Sequence, residues 1–220
     1  MYRARLHEAA RQAAAFVFPN RCPFCGELCG VRDFWHEQCF GALPFVTECI
    51  VPPQGLSSLS AVCYYERKAR SAVLRYKAGS FVYSAEAFAV LMTEAVGEDA
   101  KRADCIVPVP SSLKSVLERG YSPADKIARL ISLRCAVPVR HPLGSPFDKG
   151  EQKLLSAEER RENALKAYFL KGKPHLSGQR ILLVDDVCTT GSTLSACAKL
   201  LKTAGASEVF GAVFAKTRRI

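Results

Sequence analysis

One stretch, Ile181 to Leu194, reads ILLVDDVCTTGSTL and constrains this chain more than any other. Ile181 to Val184 form an apolar run without alternation, the pattern of a strand buried on both faces of a parallel sheet. Ligands of open α/β sheets sit beyond the carboxyl ends of such strands, which is where Asp185 and Asp186 stand. Their carboxylates can accept hydrogen bonds from a sugar diol, directly or through a divalent cation with oxygen ligands. Thr189, Thr190, Ser192 and Thr193 then set four hydroxyls around Gly191, whose missing side chain lets the backbone come close to an anion. From Leu194 to Ala204 apolar residues recur at helical spacing, so the free N–H groups and dipole of a helix point at the same turn. Gly205 is a suitable stop for that helix. Together these residues read as a socket for a phosphorylated sugar.

The chain has no G-x-x-x-x-G-K-[ST] and no G-x-G-x-x-G after a strand, so a P-loop NTPase or a dinucleotide-binding fold lacks its fingerprint. Carboxylates followed by hydroxyls resemble instead the phosphoribosyl pyrophosphate (PRPP) motif of the type I phosphoribosyltransferases. That resemblance implies that Asp185 and Asp186 are the catalytic pair, holding the ribose hydroxyls. It also implies that Thr189, Thr190, Gly191, Ser192 and Thr193 hold the 5′-phosphate and that Mg²⁺ accompanies PRPP.

With 220 residues, 49% of them hydrophobic, the chain can bury one substantial core plus a small appendage. No apolar stretch reaches membrane-spanning length, and Arg3, Arg5, His7, Glu8 and Arg11 break up the region from Met1 to Phe18. A signal peptide and a membrane span are therefore not expected, and the expected location is the cytoplasm. In that reducing setting ten cysteines argue for metal ligands and buried thiols rather than disulfides. Charge is uneven: residues 1–50 hold five Lys/Arg and five Asp/Glu, so the whole excess of +10 falls in 51–220. Within 101–180 sixteen basic residues face eight acidic ones, a balance that attracts polyanions, whether a diphosphate or a nucleic acid.

Near the N-terminus Cys22-Pro-Phe-Cys25 is followed by His36-Glu-Gln-Cys39. Two x-x pairs across a short loop give the four ligands of a small zinc knuckle, Cys22, Cys25, His36 and Cys39, with no position left for water. The zinc would be structural, standing in for a core that about fifty residues cannot build alone. Cys29 competes with His36 for the fourth place, and spacing leaves both open. Cys49, Cys63, Cys105, Cys135 and Cys197 have no paired spacing and read as small packing residues, and nothing near Cys188 in sequence would activate it. Phe34 and Trp35 beside His36 either stack on bases or pack over the knuckle, the commoner fate.

After Pro52-Pro53, a predicted boundary between a 1–50 module and a 51–220 domain, the pattern alternates. Strands are expected at Leu59 to Tyr65, Asp104 to Pro110, Ala136 to Val139, Tyr168 to Leu170, Ile181 to Val184 and Val209 to Phe214. Helices are expected at Glu66 to Lys77, Ser84 to Val96 and from Ser122-Pro123 to Leu133, with a capping box Ser156-x-x-Glu159 for another. Strands alternating with helices predict an α/β fold, a doubly wound parallel sheet with a small N-terminal zinc-knuckle module.

Taken in order, the knuckle, Tyr76-Lys77, Val107-Pro108-Val109-Pro110, Arg119-Gly120-Tyr121, Gln152, Leu155, Arg160, Asn163, Phe169 and VDDVCTTGST resemble the ComF family. Its members are competence or DNA-utilisation proteins with a phosphoribosyltransferase domain. By that resemblance Ser111, Ser112 and Lys114 lie near the diphosphate, with Arg119, Lys77 and Arg160 as further basic candidates. The chain departs from the family pattern at Ser111-Ser112-Leu113-Lys114-Ser115, at Ser122-Pro123, and at Phe147 and Lys149, so the diphosphate side is thinner than the 5′-phosphate and ribose side. The resemblance implies a protein that handles single-stranded DNA during DNA uptake alongside other competence proteins, with a PRPP site as pocket or switch. The alternative is an active phosphoribosyltransferase moving ribose 5-phosphate from PRPP to a base or amine, although no base-recognition element is legible.

Overall fold

The computed structural model describes residues 20–30, 33–79, 83–146 and 167–218. The Ser156 capping box, Gln152, Leu155, Arg160, Asn163, Phe147, Lys149 and the stretch from Met1 to Phe18 lie outside the described residues. In chain order the elements are α1 (Glu37–Gly41), β1 (Ser58–Tyr64), α2 (Arg67–Lys77), α3 (Ser84–Val96), α4 (Glu98–Arg102), β2 (Cys105–Pro108), α5 (Leu113–Arg119), α6 (Pro123–Cys135), β3 (Leu143–Gly144), β4 (Phe169–Leu170), β5 (Arg180–Cys188), α7 (Ser192–Thr203) and β6 (Glu208–Lys216).

Four strands form one sheet in the order β1-β6-β5-β2, and every pairing is parallel. Ile181 to Val184 are fully buried, as a run without alternation requires when helices cover both faces. Helices α3 and α6 pack on one face and α7 on the other, the doubly wound α/β arrangement that the alternation predicts. On the α3 face Phe88 stacks on Phe214 with ring centroids 3.9 Å apart, and Tyr76 meets Phe88 edge-on.

Three expectations need correcting. Ala136 to Val139 does not form a strand: Val139 makes only an isolated parallel bridge to Ile106. Pro138 there offers a carbonyl to Ile106 but has no N–H to return, which limits the ladder. Phe169–Leu170 pairs antiparallel with Leu143–Gly144 in a separate two-stranded sheet, too short to join the parallel series. The stretch after Val107-Pro108-Val109-Pro110, where the expected helices leave a gap, contains α5. Ser112 caps that helix by accepting from the Ser115 amide at 3.3 Å, a signal present in the sequence.

Residues of the cysteine-rich stretch share the core of the sheet. Cys22, Phe24, Cys39 and Leu43 belong to the same buried cluster as Phe88 and Phe214, and the Val46 amide donates to the Val62 carbonyl at 3.1 Å on β1. Pro53, read from sequence as a boundary, is buried against the turn that precedes α7.

Candidate functional site

Strand β5 runs to Cys188, so Asp185 and Asp186 are its sixth and seventh residues rather than a loop beyond it. Asp185 pairs in register with Val213 of β6. Consecutive strand residues face opposite ways, and the two acids accordingly meet different neighbours. Asp186 is buried and takes the Lys77 ammonium, Nζ to Oδ1 2.9 Å. Asp185 accepts the Asp186 amide at 2.8 Å, and its charge reaches Tyr168 and Cys188. Burial pushes the Cys188 thiol up to about 12, and Asp185 adds to the shift, so this cysteine stays a neutral thiol, as its surroundings in sequence suggested.

Lys77 reaches Asp186 because its backbone is fastened. Tyr76 is fully buried, its hydroxyl donates to the Pro123 carbonyl at 2.9 Å, and its own carbonyl accepts from the Tyr121 hydroxyl. The Tyr76-Lys77 and Arg119-Gly120-Tyr121 motifs thus form one assembly. Burial opposes the Lys77 charge, yet Asp186 and Asp185 outweigh it and hold the ammonium pKa above its ordinary value.

A cleft of about 410 Å³ opens at the carboxyl ends of the strands. Its walls include Lys77, Ser111, Ser112, Arg119, Asp185, Asp186, Thr189 and Thr193. The predicted residues Thr190, Gly191 and Ser192 line a small hollow beside it, shared with Thr189 and Thr193. Lys114 is exposed on α5 and is not among the residues walling the cleft. Tyr168, Tyr65 and Ser115 do wall it and were missed by sequence reasoning. Tyr168 carried only a strand signal, although burial, the largest influence, drives its phenol pKa upward and its hydroxyl bonds to Thr193.

The turn itself is braced from within. Thr190 Oγ1 lies 2.8 Å from Ser192 Oγ and accepts the Ser192 amide at 3.4 Å. Thr217 donates its hydroxyl to the Thr189 carbonyl at 2.8 Å. Gly191 takes φ +75°, and a Cβ there would stand 2.7 Å from Pro53 Cγ. Gly191→Ala is expected to destabilise the protein by about 1–3 kcal/mol, combining left-handed strain with a clash, read as a lower thermal midpoint. An unchanged midpoint would show that the turn can move away from Pro53.

A second cluster lies in the N-terminal stretch. One ligand atom each from Cys22, Cys25, His36 and Cys39 gathers so that all four lie within 4.8 Å of one another. A bridge between Arg21 and Leu28 closes a tight hairpin around Cys22 and Cys25, while Cys39 comes from α1. His36 Nδ1 lies 3.3 Å from Cys25 Sγ and Nε2 lies 2.9 Å from the Leu28 carbonyl. With Nε2–H donating to that carbonyl, the Nδ1 lone pair faces the sulfurs, the usual orientation of a metal-bound imidazole. The residues therefore fit a metal ion. Burial tends to raise the Cys22 pKa, but backbone amides of His36, Cys25 and Phe24 outweigh it and bring the thiol down to about 7. Of the two candidates for the fourth place, His36 lies within this group and Cys29 lies outside it. Trp35 stacks on Phe40 at 5.2 Å and both pack against the core, the packing fate expected of aromatics here.

Residues 113–219 match the Phosphoribosyl transferase domain family. The chain is 29% identical over 195 residues to Competence protein F of Haemophilus influenzae, covering 85% of this chain and 82% of that protein. That likeness to a competence protein runs along most of the chain. Shorter likenesses accompany it. The chain is 32% identical over 115 residues to DNA utilization protein YhgH of Salmonella typhi, covering 48% of this chain and 46% of that protein. It is also 54% identical over 106 residues to an adenine phosphoribosyltransferase of Dichelobacter nodosus, covering 48% of this chain and 57% of that protein. The chain thus spans about half the length of those two relatives. Among the described residues no helix is long and apolar enough to cross a membrane.

Proposed function

We propose that this chain, similar to a competence protein, binds PRPP in the cleft and uses that site while handling single-stranded DNA. Asp185 and Asp186 accept the ribose hydroxyls, and the Thr189–Thr193 turn with the first amides of α7 receives the 5′-phosphate. Ser111, Ser112 and Arg119 face the diphosphate, which brings Mg²⁺ with it. The cysteine cluster holds a structural zinc. One observation carries the reading: the two acids, Thr189 and Thr193 of the turn, and Ser111-Ser112 wall a single cleft, though they come from separate elements. Calorimetric titration with PRPP and Mg²⁺ tests it; saturable binding is expected, and absence of heat at millimolar ligand would overturn it.

For the nucleic acid, the support is the excess of +10 and a second groove of about 340 Å³ behind Pro110 and Ser111, walled by Arg129, His141, Lys171 and Asp125. Filter binding of single-stranded DNA across a salt series is expected to show affinity falling on a log–log plot with a slope of about −0.7 per phosphate neutralised. Binding that ignores salt, or none at low salt, would remove the DNA half of the proposal.

The high identity to an adenine phosphoribosyltransferase over 106 residues favours a second reading, turnover. The C1′–oxygen bond to diphosphate would break, the acceptor nitrogen would bond C1′ and lose a proton, and pyrophosphate would leave. Positive charge developing on the ribose would face Asp185 and Asp186, which stabilise it. Pyrophosphate release from PRPP with a panel of bases is the test; silence across the panel leaves a binding module.

A further inference from the structure

A pair of adjacent carboxylates at a strand end invites a divalent cation, but in this chain a cation is already built in. The Lys77 ammonium lies 2.9 Å from Asp186 Oδ1, and the Asp186 side chain is only 6% exposed. The Asp185 carboxylate is engaged too, accepting the Asp186 amide at 2.8 Å. Lys77 ends α2, and the Tyr76 bonds to Pro123 and Tyr121 hold that end against α6 and the loop before it. The ammonium is therefore held close to the acids, with Arg119 on the same cleft. A divalent ion seated on Asp186 would meet a fixed positive charge at short range in a partly desolvated place, where Coulomb repulsion is strong. The donor set at the acids does not fit a protein-bound Mg²⁺.

We infer that Lys77 is the resident cation of the acid pair, so that Asp185 and Asp186 take sugar hydroxyls without a protein-bound divalent ion. Divalent metal then enters only on the diphosphate of the ligand. The inference rests on the phosphoribosyl reading of the cleft and narrows it: the sugar and 5′-phosphate half is metal-independent, the diphosphate half is metal-dependent. Lys77 acts as a positioning and neutralising residue, not as a diphosphate ligand.

Ribose 5-phosphate, which lacks the diphosphate, separates the two halves. The full chain with its cysteine cluster loaded is titrated in buffer freed of other divalent ions by resin, with and without Mg²⁺. For the wild type, adding Mg²⁺ is expected to change ribose 5-phosphate affinity by less than about 3-fold and to raise PRPP affinity by about 10-fold or more. Lys77→Met is expected to weaken metal-free ribose 5-phosphate binding by about 30-fold, with Mg²⁺ restoring about 10-fold of it. The same variant should gain a Mn²⁺ site visible by paramagnetic relaxation, which mere loss of fold would not create. Lys77→Arg, which keeps the charge, is expected to retain metal-independent binding and to gain no Mn²⁺ site. The inference fails if Mg²⁺ raises wild-type ribose 5-phosphate affinity about 10-fold or more, or if Lys77→Met keeps wild-type metal independence. In either case wild-type PRPP binding in Mg²⁺ leaves the phosphoribosyl reading standing. Absence of binding of both ligands under every condition overturns the two together.

Discussion

Changing both acids, Asp185→Asn together with Asp186→Asn, is expected to remove PRPP affinity while leaving the fold in place. Hydrogen bonds to a charged acceptor contribute roughly 1.5–3 kcal/mol each, so two of them predict a loss of about 3–6 kcal/mol, or roughly a hundred- to ten-thousandfold in Kd. Stability changes less because two effects oppose each other. The substitution ends repulsion between neighbouring carboxylates, but it also takes the counter-charge from Lys77, the costly half of breaking a buried pair. Lys77 remains 35% exposed and can recover hydration, so a thermal midpoint within a few degrees of wild type is expected. Calorimetry and thermal unfolding check both statements. Unchanged affinity would mean that the ribose sits elsewhere; a collapsed midpoint would mean that the Lys77–Asp186 pair is structural before it is functional.

Removing metal from the cysteine cluster is the second large effect. Structural zinc in small modules contributes roughly 10–16 kcal/mol of apparent binding free energy at neutral pH, more than the packing of residues 20–46 can replace. Stripping it is expected to release one zinc per chain to a colorimetric chelator and to erase amide protection along the hairpin of Cys22 and Cys25. The loss should spread, because Phe24 stacks toward Phe214 at 6.4 Å and Leu43 is buried in the same cluster. Uncovering one such aromatic or aliphatic side chain costs roughly 1.5–3 kcal/mol. Full amide protection after chelation, with no zinc in solution, would end the metal assignment.

Local pattern made much of this fold legible. Ser84 to Val96 was readable as a helix, and the helix spans those residues, with Gly97 closing its C-terminal end. The central strand was readable because nothing polar interrupts Ile181 to Val184. The gathering of Cys22, Cys25 and Cys39 was readable from spacing, since x-x pairs bring such residues together, but placing His36 rather than Cys29 beside them needed the fold. Helix α5 was hidden because Ser111 to Ser115 looks like loop, and none of its residues is buried, so hydrophobic periodicity had no signal to give. The partner of Lys77 was hidden for another reason. An ion pair between a helix end and a strand far away in sequence leaves no local trace, and Lys77 could be placed only among the basic candidates. Tyr168 escaped likewise, since its place on the cleft wall depends on tertiary packing.

Helix α2 ties together two regions that the sequence keeps apart. Lys68 near its start donates to Cys39 Sγ at 3.5 Å, Arg75 donates to the Pro23 carbonyl at 2.7 Å, and Lys77 at its end meets Asp186. Eleven helical residues make a spar about 16 Å long, fastened to the cysteine cage at Cys39, to the hairpin beside it at Pro23, and to the cleft at Asp186. Oxidants or chelators that disarm the cage would loosen the spar, and the pocket would register the damage as a weaker grip on its guest.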